Sequence, residues 1–271
     1  MRPMLGIGVI TRNRQSLVQH CLDEIARHTP VPHTLVVADD GSADTTVEVL
    51  RRAGITVITG PRRGCAWNKN RALRWLHRRT ECDPILLLED DTWPFAADWA
   101  GTWVLAAERW QHVNYCYGFD PSRLPGGHGT IDDPYQCVAF GGHCTVTTRR
   151  ALSEVGYLDC RFRGYGWEHV EWTHRFRLHY RVPWGLPDET VPCLDYGIRA
   201  TWPTSSFSPS EFDHNGVVYA EIRAAAAEPT YRAPWLNEVE RRQLDAELVA
   251  AGRPPAPAAR SRLSVLDLTD P

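Results

Sequence analysis

Glu89, Asp90 and Asp91 are three adjacent carboxylates that follow the apolar run Ile85 to Leu88 and precede Pro94. Carboxylates packed side by side repel one another unless a cation sits among them, and hard oxygen donors suit Mg²⁺ or Mn²⁺. A cation held by one or two of them keeps open positions that phosphate oxygens can fill. The plainer reading is an acidic turn in water, but the apolar run before it and Pro94 after it favour a placed site. A second cluster is Gly164-Tyr165-Gly166-Trp167-Glu168-His169-Val170-Glu171. On a helix Glu168 and Glu171 share a face, and His169 points about 100° away. Histidine takes up a proton near neutral pH without tuning, whereas a glutamate needs burial to become an efficient base. The alternative is a capped amphipathic helix with surface acids; the glycine-aromatic lead-in favours a binding surface. Asp39-Asp40-Gly41-Ser42 can cap a helix and turn the chain, or leave one Asp free to accept hydrogen bonds from a base or ribose. Arg62-Arg63-Gly64 stands before a helix start, where free N–H groups favour an anion such as a diphosphate. Two solvated arginines are the bland reading there.

These clusters need elements that bring them together. Met4 to Ile10 reads as a buried strand, and Leu17, Val18, Cys21, Leu22 and Ile25 then recur at helical spacing. Leu35 to Ala38 is a short apolar strand, after which Ser42 or Asp44 can cap a helix with Val47, Leu50 and Ala53 inward. Ile55 to Ile58 predicts a third strand, ended by Gly60-Pro61. Gly64 opens a helix with Cys65, Ala72, Leu73 and Leu76 inward, and Ile85 to Leu88 is a fourth strand. Wholly apolar strands alternating with helices imply a parallel sheet covered on both faces. Right-handed crossovers place every strand-to-helix turn on one edge, and ligands bind outside that edge. Thr11-Arg12-Asn13, Asp39-Asp40 and Glu89-Asp90-Asp91 all fall there. Gly6-Ile7-Gly8 lies inside a strand and lacks a third glycine, which argues against a nicotinamide-binding fingerprint. Beyond Asp91 the alternation stops. Helices are expected over Trp99–Trp110, Arg149–Val155, Trp167–Leu178 and residues 235–250, and strands over Val113–Tyr117 and Gly141–Thr147. Residues 120–136 read as a mobile loop and Pro203–Pro209 as irregular.

Composition narrows the function classes. The chain has 271 residues, 43% of them hydrophobic, enough for a core without metal or disulfide staples. Lys and Arg total 30 against 33 Asp and Glu, a net charge of −3, which argues against a dedicated nucleic-acid binder. No apolar run approaches the roughly 20 residues of a membrane span. The first residues do not read as a signal peptide, so a cytoplasmic location is expected. The eight cysteines contain no C-x-x-C pair and are expected to be reduced, mostly buried thiols. Of the eleven tryptophans, Trp99, Trp103 and Trp110 fall at helical spacing and are expected in the core.

In order and spacing, Val9-Ile10-Thr11-Arg12-Asn13, Asp39-Asp40-Gly41-Ser42-Ala43-Asp44, Gly64 through Asn70-Arg71-Ala72, Leu88-Glu89-Asp90-Asp91 with Pro94, Val155 to Asp159, and Gly166-Trp167-Glu168-His169 with Arg175 together resemble a family 2 glycosyltransferase of GT-A fold. The resemblance covers roughly residues 4–110 and 139–182. It implies an α/β, Rossmann-like, mostly parallel sheet flanked by helices, with an acceptor-binding C-terminal half. It implies that Thr11 and Asp40 hold the nucleobase, usually uracil, with Asp39 close by, and that Asp90 contacts the ribose. Arg12, Arg63 and Asn70 are added as nucleotide contacts. Asp91 would ligate a divalent metal, Mn²⁺ or Mg²⁺, bridging the donor diphosphate. Glu89 stands where the family's D-x-D motif has its first Asp. Where the family commonly has Glu-Asp, with the Asp as base, this chain has Glu168-His169; His169 is favoured and Glu168 is the alternative. His214 is the candidate for the family's late histidine ligand, and Trp167 and Glu171 for acceptor contacts.

The implied reaction is an inverting transfer of sugar from a nucleotide-diphosphate donor, expected to be a UDP-sugar, to an acceptor hydroxyl. The acceptor class (saccharide, glycolipid, peptide or natural product) is open, and the Gly-rich segment 125–129 is a candidate lid. The expected organisation is a donor half over 1–95, an acceptor and catalytic half over 96–225, a helical segment over 226–252 and a Pro/Ala-rich flexible tail over 253–271. The rivals are a catalytically degenerate GT-A domain and a sugar-nucleotide pyrophosphorylase. Thr11-Arg12-Asn13-Arg14 lacks the glycine-rich loop that the latter requires.

Overall fold

The computed structural model describes residues 4–116, 126–138, 140–201, 208–225 and 231–252. The expected flexible tail, part of the candidate lid and most of the Ser/Pro stretch lie outside them. The first half follows the predicted alternation: β1 (Leu5–Thr11), α1 (Gln15–His28), β2 (His33–Asp39), α2 (Thr46–Arg52), β3 (Val57–Thr59), α3 (Cys65–Arg79) and β4 (Ile85–Glu89). Val18, Cys21, Leu22 and Ile25 are the buried face of α1, as their spacing requires. Every residue of β1 is buried. Its glycines have a packing reason: a Cβ on Gly8 would lie 2.8 Å from Cβ of Ala72, so α3 can seat against the strand only over bare backbone.

The second half comprises β5 (Thr92–Pro94), α4 (Trp99–Trp110), β6 (His112–Tyr115), β7 (Tyr135–Cys137), β8 (Gly141–Thr147), α5 (Arg149–Val155), α6 (Glu168–Trp184), β9 (Val191–Leu194), β10 (Ile198–Ala200), α7 (Pro209–Ala225) and α8 (Glu238–Ala250). An eight-stranded sheet has the order β3-β2-β1-β4-β8-β6-β9-β7, and β5 pairs with β10 in a small second sheet. The large sheet runs without a break from the expected donor half into the acceptor half through the β4–β8 pairing. The parallel core is β3-β2-β1-β4, while β8 runs antiparallel to β4. Trp99, Trp103 and Trp110 are buried as expected. All eight cysteines are free thiols, most of them buried. Among the described residues no helix is long and apolar enough to cross a membrane.

Strands β5, β7, β9 and β10 and helix α7 were not expected. Helix α6 outruns its predicted end at Leu178 because Phe176, Tyr180 and Trp184 stack in succession along one face, until Gly185 closes it in the left-handed conformation.

Candidate active site

Register delivers the three acidic and polar clusters to one level. Thr11 pairs with Asp39 across β1 and β2, and Ile10 pairs with Glu89 across β1 and β4. Strand order reverses between β2 and β4 at β1, the switch point where open α/β sheets bind ligands. A cavity of about 370 Å³ opens there. It is lined by Thr11, Arg12, Arg14, Asp40, Gly64, Asn68, Glu89, Asp90 and Asp91 from the first half of the chain and by His143, Gly164, Tyr165, Glu211 and Phe212 from the second.

Asp90 is the most constrained of the three carboxylates. It accepts from Thr11 Oγ1 at 2.8 Å and from Arg14 Nη1 at 2.9 Å, and Arg14 also reaches Asp91 at 3.0 Å. Burial pushes the Asp90 carboxyl up to about 7, against the opposing pull of Arg14 and Thr11. Burial and the neighbouring Glu89 also raise Asp91. Glu89 goes the other way: burial pushes it up, but Lys69 at 2.9 Å and His143 more than reverse this. Because β8 is antiparallel, its first residues arrive at the edge where β4 ends. His143 thereby joins Glu89 and Asp91, with a ligand atom from each lying within 4.8 Å of the others. Two carboxylates and an imidazole are a chemically sound donor set for a divalent ion such as Mn²⁺.

Lys69 is buried between Glu89 and Glu168, 2.9 and 3.0 Å from their oxygens. Burial opposes its charge, yet the two carboxylates more than offset this and the ammonium stays protonated. Glu168 also accepts from Gly166 N at 2.9 Å. Burial pushes its carboxyl up, but Lys69 and His169 hold it well below the usual carboxylate range. A carboxylate pinned in this way is a poor proton acceptor near neutral pH. His169 Nδ1 lies 3.6 Å from Glu168, an electrostatic contact rather than a hydrogen bond, and Nε2 lies 3.3 Å from the Phe140 carbonyl. The ring does not line the donor cavity. It packs behind β8, 3.0 Å from where a Cβ on Gly142 would sit.

Of the expected contacts, Thr11, Arg12, Asp40, Glu89, Asp90 and Asp91 line the cavity. Others are engaged elsewhere. Asp39 is fully buried and caps its own loop, accepting from Gly41 N at 3.1 Å, Ser42 N at 3.0 Å and Thr59 Oγ1 at 2.7 Å. Its capping reading is the one the geometry supports. Arg63 turns its guanidinium toward α8, where it meets Gln243 at 2.9 Å and Glu240, and lies over the Trp67 ring. Asn70 ties α3 to the backbone of Leu158 through two hydrogen bonds, of 2.9 and 3.0 Å. Glu171 is buried in ion pairs with Arg175 at 2.8 Å and Arg232 at 3.2 Å. Trp167 stacks on Tyr219 and lies tilted against Phe212, both of α7. His214 lies on α7 and lines an adjacent cleft with Arg62 and Arg63, apart from the Glu89–Asp91–His143 cluster. Sequence reasoning missed His143, Lys69 and Arg14. The run Thr11 to Arg14 gave a direct signal for Arg14. No local signal exists for His143, whose place depends on β4–β8 pairing.

Residues 7–122 match the glycosyl transferase family 2 domain. No curated protein sequence matches the chain. Among solved structures, the mannosyltransferase PcManGT of Pyrobaculum calidifontis, in complex with GDP-Man and Mn²⁺, is similar with a TM-score of 0.55 and 16% identity, covering 93% of this chain and 86% of that one. S. aureus TarS 1–349 in complex with UDP-GlcNAc has a TM-score of 0.55 and 13% identity, covering 92% and 72%. GalNAc-T7 with UDP, GalNAc and Mn²⁺ has a TM-score of 0.62 and 14% identity, covering 90% of this chain and 51% of that one. At these identities the likenesses show the fold, and the domain match is confined to residues 7–122. The chain therefore has a GT-A fold, within which residues 7–122 match the glycosyl transferase family 2 domain.

Proposed function

We propose that the chain is an inverting, metal-assisted transferase that moves a sugar from a UDP-sugar to an acceptor hydroxyl. The observation that carries this reading is the Glu89–Asp91–His143 cluster, which lines the switch-point cavity together with Thr11 and Asp40. Thr11, Arg12 and Asp40 contact the nucleobase and Asp90 the ribose. Asp39, Arg63 and Asn70 support these residues from behind. Glu89, Asp91 and His143 hold the divalent cation, which when bound neutralises charge growing on the departing diphosphate. The imidazole in this set favours Mn²⁺ over the harder Mg²⁺.

His169 is the general base. With Nδ1–H turned toward the Glu168 carboxylate, Nε2 would leave the Phe140 carbonyl for the acceptor hydroxyl and take its proton. The imidazolium Nε2–H then has the Phe140 carbonyl as its partner. Lys69 and Gly166 fix Glu168, and Glu168 orients His169. Direct displacement needs no protein nucleophile, so the pinned carboxylates are no obstacle to it. The free thiols fit a reducing, cytoplasmic compartment.

The test is thermal unfolding with UDP, GDP, CMP, dTDP and ADP, each with Mn²⁺, with Mg²⁺ or with chelator. UDP with Mn²⁺ should stabilise by about 2.7 kcal/mol at a hundred times its Kd, and chelator should remove the effect. Stabilisation by a different diphosphate alone would reassign the donor. No response to any of the five would overturn the donor site.

A further inference from the structure

Helix α8 lies outside the matched domain, yet its polar face is buried against the wall of the donor cavity. Glu240, Gln243 and Glu247 follow one another at spacings of three and four, so they share a stripe. Each meets a residue of the segment 63–71. Glu240 and Gln243 take the Arg63 guanidinium, and Glu247 takes both Trp67 Nε1, at 3.1 Å, and Arg71. Leu244 and Leu248, on the adjoining face, are buried as ordinary core.

Arg71 is the link. Its side chain is fully buried, and its guanidinium reaches in two directions. Toward α8, Nε donates to Glu247 Oε2 at 2.9 Å and Nη2 reaches Oε1 at 3.3 Å, a bidentate clamp that fixes the plane of the group. Toward the cavity, Nη1 donates to Asp40 Oδ1 and to the Asp39 carbonyl, both at 3.1 Å, and Nη2 to the Pro61 carbonyl at 2.9 Å. Asp40 in turn accepts from Arg63 N at 2.8 Å and Gly64 N at 2.9 Å. The orientation of Asp40 and the path of the loop 61–64 are therefore set from the far side by one carboxylate of the last described helix.

We infer that Glu247, acting through Arg71, is a positioning residue for the donor pocket, and that α8 is part of the nucleotide-binding unit. This rests on the donor reading above. A merely structural ion pair makes a different prediction, because a buried pair replaced by apolar residues of similar size often keeps stability.

Two experiments decide the matter, with UDP and Mn²⁺ as the probe. Glu247→Gln should raise the Kd about tenfold, the scale of one charge-assisted hydrogen bond lost behind a binding group. The double variant Arg71→Met/Glu247→Met should recover thermal stability without recovering affinity. A double variant of native stability that binds UDP as tightly as wild type overturns the inference. The second experiment uses only the wild-type chain. By reciprocity, UDP with Mn²⁺ should slow hydrogen exchange in residues 238–250 as well as in 61–71. Slowing in 61–71 with none in 238–250 overturns the inference and leaves the donor reading standing. A wild-type chain that binds none of the five nucleotides overturns the donor reading, and this inference with it.

Discussion

Glu168 and His169 are neighbours in sequence with opposite electrostatic fates. Lys69 fixes the glutamate as a buried anion, while the imidazole stands beside it with a carbonyl on its far side. His169→Ala should therefore lower kcat about a hundredfold or more, the usual general-base contribution, and leave the Kd for UDP near its wild-type value. Steady-state kinetics alongside calorimetry checks both halves. Full turnover in His169→Ala with none in Glu168→Ala would give the role to Glu168. The two candidate histidine ligands separate in the same way. His143→Ala should raise the Mn²⁺ concentration needed for UDP binding, and His214→Ala should not, since His214 belongs to the adjacent cleft. Side-chain type and spacing located the acidic triad and the histidine after Glu168. They could not show that Asn70 and Glu171 are consumed by helix anchoring and ion pairing, because Leu158 and Arg232 lie far off in the chain, whereas the capping of Gly41 and Ser42 by Asp39 is local and was one of the two readings its sequence allowed.

At the scale of elements, the part that could be read from sequence is the part built from local repetition. Apolar strands of four to seven residues, each followed by a helical stripe, specify β1 to β4 and their shared edge. The second half breaks that rule. Its β8 is antiparallel and inserted between β4 and β6, so the residue it brings to the site is set by pairing rather than by neighbours in the chain. Helix α7 escaped notice because its buried stripe is only Asn215, Val218 and Ile222, too thin to stand out as a period. The start of α3 shows how tightly these elements are fitted. Gly64 has φ of 95°, Cys65 N donates to the Gly164 carbonyl at 2.7 Å, and a Cβ on Gly64 would lie 2.3 Å from Gly164 N. Gly64→Ala must bear left-handed strain and push two loops apart. It should cost at least about 1–3 kcal/mol in urea unfolding and weaken UDP binding as well. Native stability in that variant would mean that the two loops are not in contact in solution.

Across the whole molecule one continuous core runs through both halves, and in the second half it encloses a neutral imidazole. His112, on β6, is fully buried, stacked on Phe176 with ring centroids 3.9 Å apart and edge-on to Trp172, both from α6. Its Nε2 meets Thr173 Oγ1 at 3.0 Å. Burial, with Arg175 nearby, pushes its pKa well below the ordinary histidine value. The unfolded chain protonates this ring at about pH 6.5, and the folded chain resists doing so until much lower pH. Between those limits the unfolded state binds more protons, so the contribution of His112 is fully present above pH 6.5 and is lost as pH falls. Other buried groups titrate in the same range, some with the opposite sign: Asp90, raised to about 7, keeps a proton that the unfolded chain would release. A comparison with His112→Gln cancels them, since glutamine has no proton to gain and can still bond Thr173. Wild type should lose stability relative to that variant by about 1.4 kcal/mol per pH unit below pH 6.5, and the difference should be flat from pH 7 to 8. Urea unfolding of both chains from pH 8 to 5 measures it. A difference that does not change with pH would show that this ring titrates in the fold as it does in the open chain, and that the core between β6 and α6 admits water.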